Sequence, residues 1–256
     1  MSGTVYLVGA GPGTPDLLTL RAARLLERAD IVFHDALVHP EVVALATRAE
    51  KVAVGKRCGR HSVAQRFINR HLVNAARRHA VVVRLKGGDP MLFGRAQEEL
   101  DALTEAGVRC EVVPGVTAAL AASAQLGVSL TRRGVARSVA FVTPRSGEGE
   151  DDSDWARAAA AADSVAIYMG SGQAQALVDA LVRAGRDVAT PVVLVEGASL
   201  EDSRRIAGEL HELPTLAEGL GGGPAVILLG EVFARERAQI STRVPSSITR
   251  FAGMLT

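Results

Sequence analysis

Short runs of β-branched and aliphatic residues recur along this chain, and helix-periodic stretches separate many of them. Val5–Val8, Ile31–Phe33, Val52–Val54, Val81–Leu85 and Glu111–Val113 are each followed within a few residues by glycine, proline or aspartate. Runs this short between such breakers read as buried strands. Leu17, Leu18, Ala22, Leu25 and Leu26 repeat at helical spacing over Leu17 to Leu26, and Ser62 to Arg77 and Ala96 to Ala106 read as further helices, the last closing on Gly107. Strands that alternate with helices predict an α/β protein with mostly parallel sheets.

The pattern breaks at Pro114-Gly115 and then resumes. "VTAALAASAQLG" predicts a helix of small residues, suited to close packing. New strands are expected at Val139–Val142, Ser164–Tyr168, Val192–Val195, Arg204–Ala207 and Ala225–Leu229. The acidic "RSGEGEDDSD" reads as an exposed loop, with Asp154 as N-cap of a helix from Trp155. The chain therefore divides into an N-terminal α/β domain over residues 1–114, a C-terminal α/β domain over 115–240, and a tail over 241–256 without periodicity, expected to be disordered.

Composition removes several classes of function. With 29 Lys plus Arg against 28 Asp plus Glu, the chain has no overall attraction for nucleic acid or acidic membranes. No apolar run reaches the roughly 18 residues that span a bilayer, and "MSGTVYLVGAG" lacks the layout of a signal peptide, so a cytoplasmic protein is expected. Cys58 and Cys110 form no C-x-x-C pair; neither a disulfide framework nor a metal site is expected.

Three loops at strand ends are unusual: Gly9–Gly13, Asp35–Val38 and Gly87–Pro90. "LVGAGPG" resembles the dinucleotide-binding pattern, but Thr14 stands in place of the third glycine, and no acidic residue follows at the usual spacing. A nicotinamide-dependent oxidoreductase is thus the poorer reading. "RLKGGDP" ends an apolar run with two glycines, a carboxylate and a proline. Such a turn serves either as a plain strand end or as a place where backbone meets a ligand.

"VGAGPGTPDLLTLRAARLL", "DALV", "VGKRCGRHSV", "RLKGGDPMLFGR", "EVVPGVTAA", "SLTRR", "YMG" and "GEV" occur in this order. Together they resemble the uroporphyrinogen-III C-methyltransferase branch of the tetrapyrrole methylases, over approximately residues 4 to 233. The resemblance implies two α/β domains with S-adenosyl-L-methionine in the cleft between them, S-adenosyl-L-homocysteine as by-product, and a homodimer. It implies a stand-alone methyltransferase, acting on a small-molecule tetrapyrrole at C2 and C7 to give precorrin-2 for sirohaem or cobalamin.

Carried over by resemblance, the cofactor would lie against Pro12, Gly87, Gly88, Asp89, Leu92, Thr117, Ala118, Met169 and Ala198. The Asp89 carboxylate would face a cationic part of it. Asp35 would serve as base, and Lys56 as acid or charge stabiliser. The substrate carries eight carboxylates, which guanidinium groups match bidentately; Arg95, Arg132 and Arg133 are the candidates. The chain departs from the family pattern at "LTRR" for the usual "LTHR", "VTPR" for "VTGH", "GRAQEE" for "GRGGEE" and "AQRFIN" for "PQEEIN". Within the same fold the alternative is a methyltransferase acting later on the corrin ring. Outside enzymes it is a non-catalytic tetrapyrrole-binding protein, which could dispense with Asp35 and Gly87-Gly88-Asp89.

Overall fold

The computed structural model describes residues 3–54, 61–144 and 154–236. The chain divides into two compact units. The first holds the described residues up to Gln125 together with Gly197–Ser203; the second holds the described residues after Gln125 outside that segment.

In the first unit the elements are β1 (Thr4–Gly9), α1 (Leu20–Arg28), β2 (Ile31–His34), α2 (Pro40–Ala44), β3 (Glu50–Ala53), α3 (His61–Ala76), β4 (Val81–Lys86), α4 (Ala96–Glu105), β5 (Arg109–Val113) and the start of α5 (Ala118–Leu126). The strands form one sheet in the order β3-β2-β4-β1-β5. Every pairing in it is parallel, as the alternating pattern predicts.

Alternation along the strands divides the core into two faces. Val8, Val32, Val83 and Leu85 pack with Ala22, Leu25 and Leu26 of α1 and Val42 and Val43 of α2. Val5, Leu7, Phe33 and Val82 pack on the other side with Ile68 and Leu72 of α3 and Leu103 of α4. Burying a side chain such as Leu72 or Leu85, both 0% exposed, contributes about 2 kcal/mol. The chain leaves β1 toward α1 on one face and the adjacent β4 toward α4 on the other. Such a reversal opens a crevice at the carboxyl ends of the two strands, and the glycine loops lie there.

The second unit contains β6 (Val139–Val142), α6 (Trp155–Ala161), β7 (Ser164–Tyr168), α7 (Ala174–Arg183), β8 (Pro191–Glu196), β9 (Arg204–Glu209), α8 (Leu213–Glu218) and β10 (Ala225–Gly230). Its strand order is β6-β7-β10-β8-β9. Here parallel pairing is confined to β6 with β7; the pairs β7–β10, β10–β8 and β8–β9 are antiparallel. The segment Gly197–Ser203 between β8 and β9 is too short for a crossover, so those strands can only run antiparallel. Ile167, Leu177, Leu181, Leu194, Leu213 and Leu229 fill the core on one side of this sheet.

Two local readings are corrected. The first helix begins at Leu20, not Leu17: Pro15–Leu17 form a 3-10 turn, Leu18 is extended, and Thr19 caps α1 by accepting from Ala22 N at 3.1 Å. Asp154 makes no side-chain cap to α6, because its carboxylate pairs with Arg157 at 2.9 Å instead. The tail 241–256 and most of the acidic loop lie outside the described residues. Among the described residues no helix is long and apolar enough to cross a membrane.

Candidate active site

At the carboxyl ends of β1 and β4 the two glycine loops are joined. Gly88 N donates to Gly11 O at 2.7 Å and Gly11 N to Gly88 O at 3.2 Å, an isolated antiparallel bridge beyond parallel strands. The glycines have different reasons. A Cβ on Gly115 would lie 2.3 Å from Gly88 O and 2.9 Å from Gly9 Cα, so that glycine is required by close backbone packing. Gly88 has φ +67°, but a Cβ there would meet nothing nearer than Thr117 Cα at 3.9 Å. The backbone at Gly88 thus borders open space.

Asp89 closes the arrangement. Its Oδ1 accepts from Met91 N at 2.8 Å and its Oδ2 from Gly115 N at 2.9 Å. The carboxylate ties the loop after β4 to the end of β5, a structural task that motif reading does not assign. Thr117 is buried at the start of α5, with Ala118 half-buried beside it. The loop containing Pro12 is held from the other side: Thr14 N donates to Ser199 Oγ at 3.1 Å, and Gly13 packs on Leu200. Ala198 is buried in that same segment, between Gly197 at φ +61° and Ser199 at φ +78°. Pro12, Gly87–Asp89, Leu92, Thr117, Ala118 and Ala198 therefore sit on loops of the first unit that contact one another.

Asp35 follows β2 and is about one-third exposed, at 32%. Its Oδ1 accepts from Arg84 Nη2 at 2.6 Å. Arg84 lies on β4 with Lys86, and both point to the α3–α4 side of the sheet. Arg84 Nε donates to Glu99 Oε1 at 3.0 Å, and Lys86 Nζ to Glu99 Oε2 at 2.9 Å. Gln65 of α3 adds a bond to Glu99 Oε1 at 3.2 Å. Burial works against the Arg84 charge, but Glu99 and Asp35 outweigh it and hold the guanidinium pKa above its usual value. For Lys86, burial and the adjacent Arg84 prevail over Glu99 and lower the ammonium pKa.

The remaining candidates are placed as follows. Arg95 has φ +55° at the start of α4, and Glu98 holds its guanidinium with Nε–Oε1 at 2.6 Å and Nη2–Oε2 at 2.7 Å. In the second unit, Arg132 and Arg133 are exposed on a tight turn closed by the bridge of Arg132 with Ala136. Met169, just past β7, is 44% exposed with φ +57°, so it is not core filling. Non-glycine residues in that region are uncommon and cluster at functional sites. Lys56, with its neighbours Arg57 and Arg60, lies outside the described residues.

Arg84, Lys86 and Glu99 are the site residues that motif reading missed. A signal for two of them was present in "VVVRLK", where an otherwise apolar central strand places two cations on one face at i and i+2. Buried charges need partners, so that face calls for a buried acid.

The chain matches the family of tetrapyrrole (corrin/porphyrin) methylases over residues 4–214. It is 48% identical over 233 residues to a siroheme synthase of Chromobacterium violaceum, covering 90% of this chain and 50% of that protein. A siroheme synthase of Pseudomonas putida is 45% identical over 232 residues, with 90% and 50% coverage. The chain thus spans about half the length of these curated relatives. Among solved structures, a uroporphyrin-III C-methyltransferase from Thermus thermophilus, complexed with S-adenosylhomocysteine, superposes with a TM-score of 0.78 at 45% identity, covering 91% of this chain and all of that one. A cobalt precorrin-4 methyltransferase gives the same TM-score at 28% identity, with 90% and 95% coverage.

Proposed function

This chain belongs to the tetrapyrrole (corrin/porphyrin) methylases, and on that premise we propose that it methylates uroporphyrinogen III at C2 and then C7, giving precorrin-2 by way of precorrin-1. The product would enter sirohaem or cobalamin synthesis, and the enzyme would act as a homodimer. The observation that carries the reading is the seam at Gly11 and Gly88, where two loops at a strand-order reversal present backbone to open space. The greater identity to a uroporphyrin-III enzyme than to a later-ring methyltransferase favours this substrate.

The residues present fit S-adenosyl-L-methionine. A side chain at Gly88 would project into the open space, and Thr117 and Ala198 are buried on the adjoining loops. Pro12, Gly87, Gly88, Leu92, Thr117, Ala118 and Ala198 would hold the cofactor, and Met169 is proposed as a further cofactor residue. When bound, it supplies an electrophilic methyl group. Asp89 serves the site by holding the loop against Gly115, since both its oxygens accept backbone N–H groups.

The protein's own chemical task is alignment and proton removal. Methyl transfer to a ring carbon leaves the macrocycle with a positive charge, a proton must then leave the ring system, and Asp35 takes it on a carboxylate oxygen. Arg84 fixes the carboxylate from behind through Oδ1. Lys56 is proposed as the acid or charge stabiliser. Arg132, Arg133 and Arg95 are proposed for the substrate carboxylates, with Arg95 exchanging Glu98 for substrate.

Incubation with uroporphyrinogen III and labelled S-adenosyl-L-methionine, followed by mass analysis, tests the reading. Two added methyl groups are expected. No added methyl on uroporphyrinogen III, with transfer to a later corrin intermediate, would replace this substrate assignment.

A further inference from the structure

Glu99 is 0% exposed and carries a charge, and among the described residues its partners are two cations of one strand and an amide. It stands in the first turn of α4, on the side of the helix that packs against β4. Stability alone is a poor reason for such a cluster. Buried ion pairs lose in desolvation much of what they gain in attraction, and apolar side chains of similar volume often serve as well. The cluster is better explained by what its cations do at their other ends.

Arg84 is held by Glu99 through Nε and by the Leu85 carbonyl through Nη1, which leaves Nη2 directed at Asp35 Oδ1 at 2.6 Å. Lys86 is held by the other oxygen of Glu99, and its Cε lies beneath Gly94, where a Cβ would come within 3.2 Å of it. One carboxylate therefore sets the fork that aims Asp35, and holds Lys86 where its chain packs under Gly94.

We infer that Glu99 is a positioning residue for methyl transfer: through Arg84 it fixes the direction of the Asp35 carboxylate. The inference rests on the proposal that Asp35 is the base. A chain of ionic contacts from α4 through β4 to the end of β2 conveys the position of α4 to the reacting group. Misplacing a catalytic group by about 1 Å can cost on the order of a hundredfold in rate.

Glu99→Asp is the sharpest variant, because it keeps the charge and draws the carboxylate back by one methylene. Its kcat should fall on the order of a hundredfold, with S-adenosyl-L-homocysteine affinity and the KM for uroporphyrinogen III nearly unchanged. In an Asp35→Asn background the same change should add little further loss, since the group it positions is already disabled. Should Glu99→Asp melt below the assay temperature, Lys86→Met combined with Glu99→Gln removes one charge of each sign and takes its place, with the same expectation. A folded variant with kcat within about threefold of the parent, well short of a misplacement effect, overturns the inference. So does an equal loss in both backgrounds. If Asp35→Asn itself keeps full turnover, the base assignment falls first and takes this inference with it.

Discussion

Gly11 and Gly88 exchange both backbone hydrogen bonds, at 2.7 and 3.2 Å, although the strands that carry them run parallel. This antiparallel pairing can occur only because the chain turns sharply after each strand, and it joins two loops into one ledge. The residues on that ledge separate into those the packing requires and those that face open space.

Gly88→Ala tests the second kind. The φ of +67° should cost about 1–2 kcal/mol of stability, while the methyl group enters the space left for the cofactor. Calorimetry should show a marked loss of S-adenosyl-L-homocysteine affinity in a protein that still melts cooperatively. Gly115→Ala should destabilise more, since its Cβ would strike the backbone oxygen of Gly88. Unchanged affinity in Gly88→Ala would make this loop a turn and nothing more.

Asp35→Asn should reduce turnover about a hundredfold to ten-thousandfold, the usual range for a general base. The amide keeps the shape and can still accept from Arg84, so cofactor affinity should hold. Turnover above about a third of wild type is too high for a base and would leave Asp35 as a partner of Arg84 only.

Lys86 predicts a pH effect on stability. Its pKa is lowered in the folded protein, first by burial and then by Arg84, so above that folded value the unfolded chain binds more protons. Unfolding free energy should therefore rise with pH between the lowered value and the 10.5 of an ordinary lysine. Denaturant midpoints measured across that window should lose this rise in Lys86→Met. An identical pH slope in both proteins counts against a shifted Lys86.

Cys110 should be slow to alkylate at neutral pH. Burial, with the charges of Glu99 and Glu111 behind it, pushes its thiol up to about 11, and the thiolate is the reactive form. The rate of iodoacetamide modification, followed by peptide mass spectrometry to separate it from Cys58, should keep rising beyond pH 10 if the pKa is about 11. A plateau near pH 9 would contradict the burial argument.

Much of the site's frame was legible because its signals are local. Glycine and proline after a β-branched run mark a strand end wherever they occur, so the loops at Gly9–Gly13 and Gly87–Pro90 could be placed without coordinates. The Asp35 turn was visible for the same reason. Strand direction in the second sheet was less legible: a run such as Val192–Val195 looks the same whichever way its neighbour points, and only the short connection to β9 fixes the direction.

The amino-acid sequence by itself determined the alternation of strands and helices, the glycine loops at strand ends and the ordered motifs that mark the family. Those depend on backbone sterics and side-chain periodicity within a few residues of each other. Only the tertiary structure decided that Glu99, which reads as an ordinary acidic residue in the first turn of a helix, is buried and grips Arg84 and Lys86. It also decided that Asp89 fastens the loop to Gly115, and that Arg84 reaches Asp35. Those contacts join residues far apart in the chain. A charge's partner is set by which elements pack together and by the need to neutralise what they bury, and no local pattern contains that information.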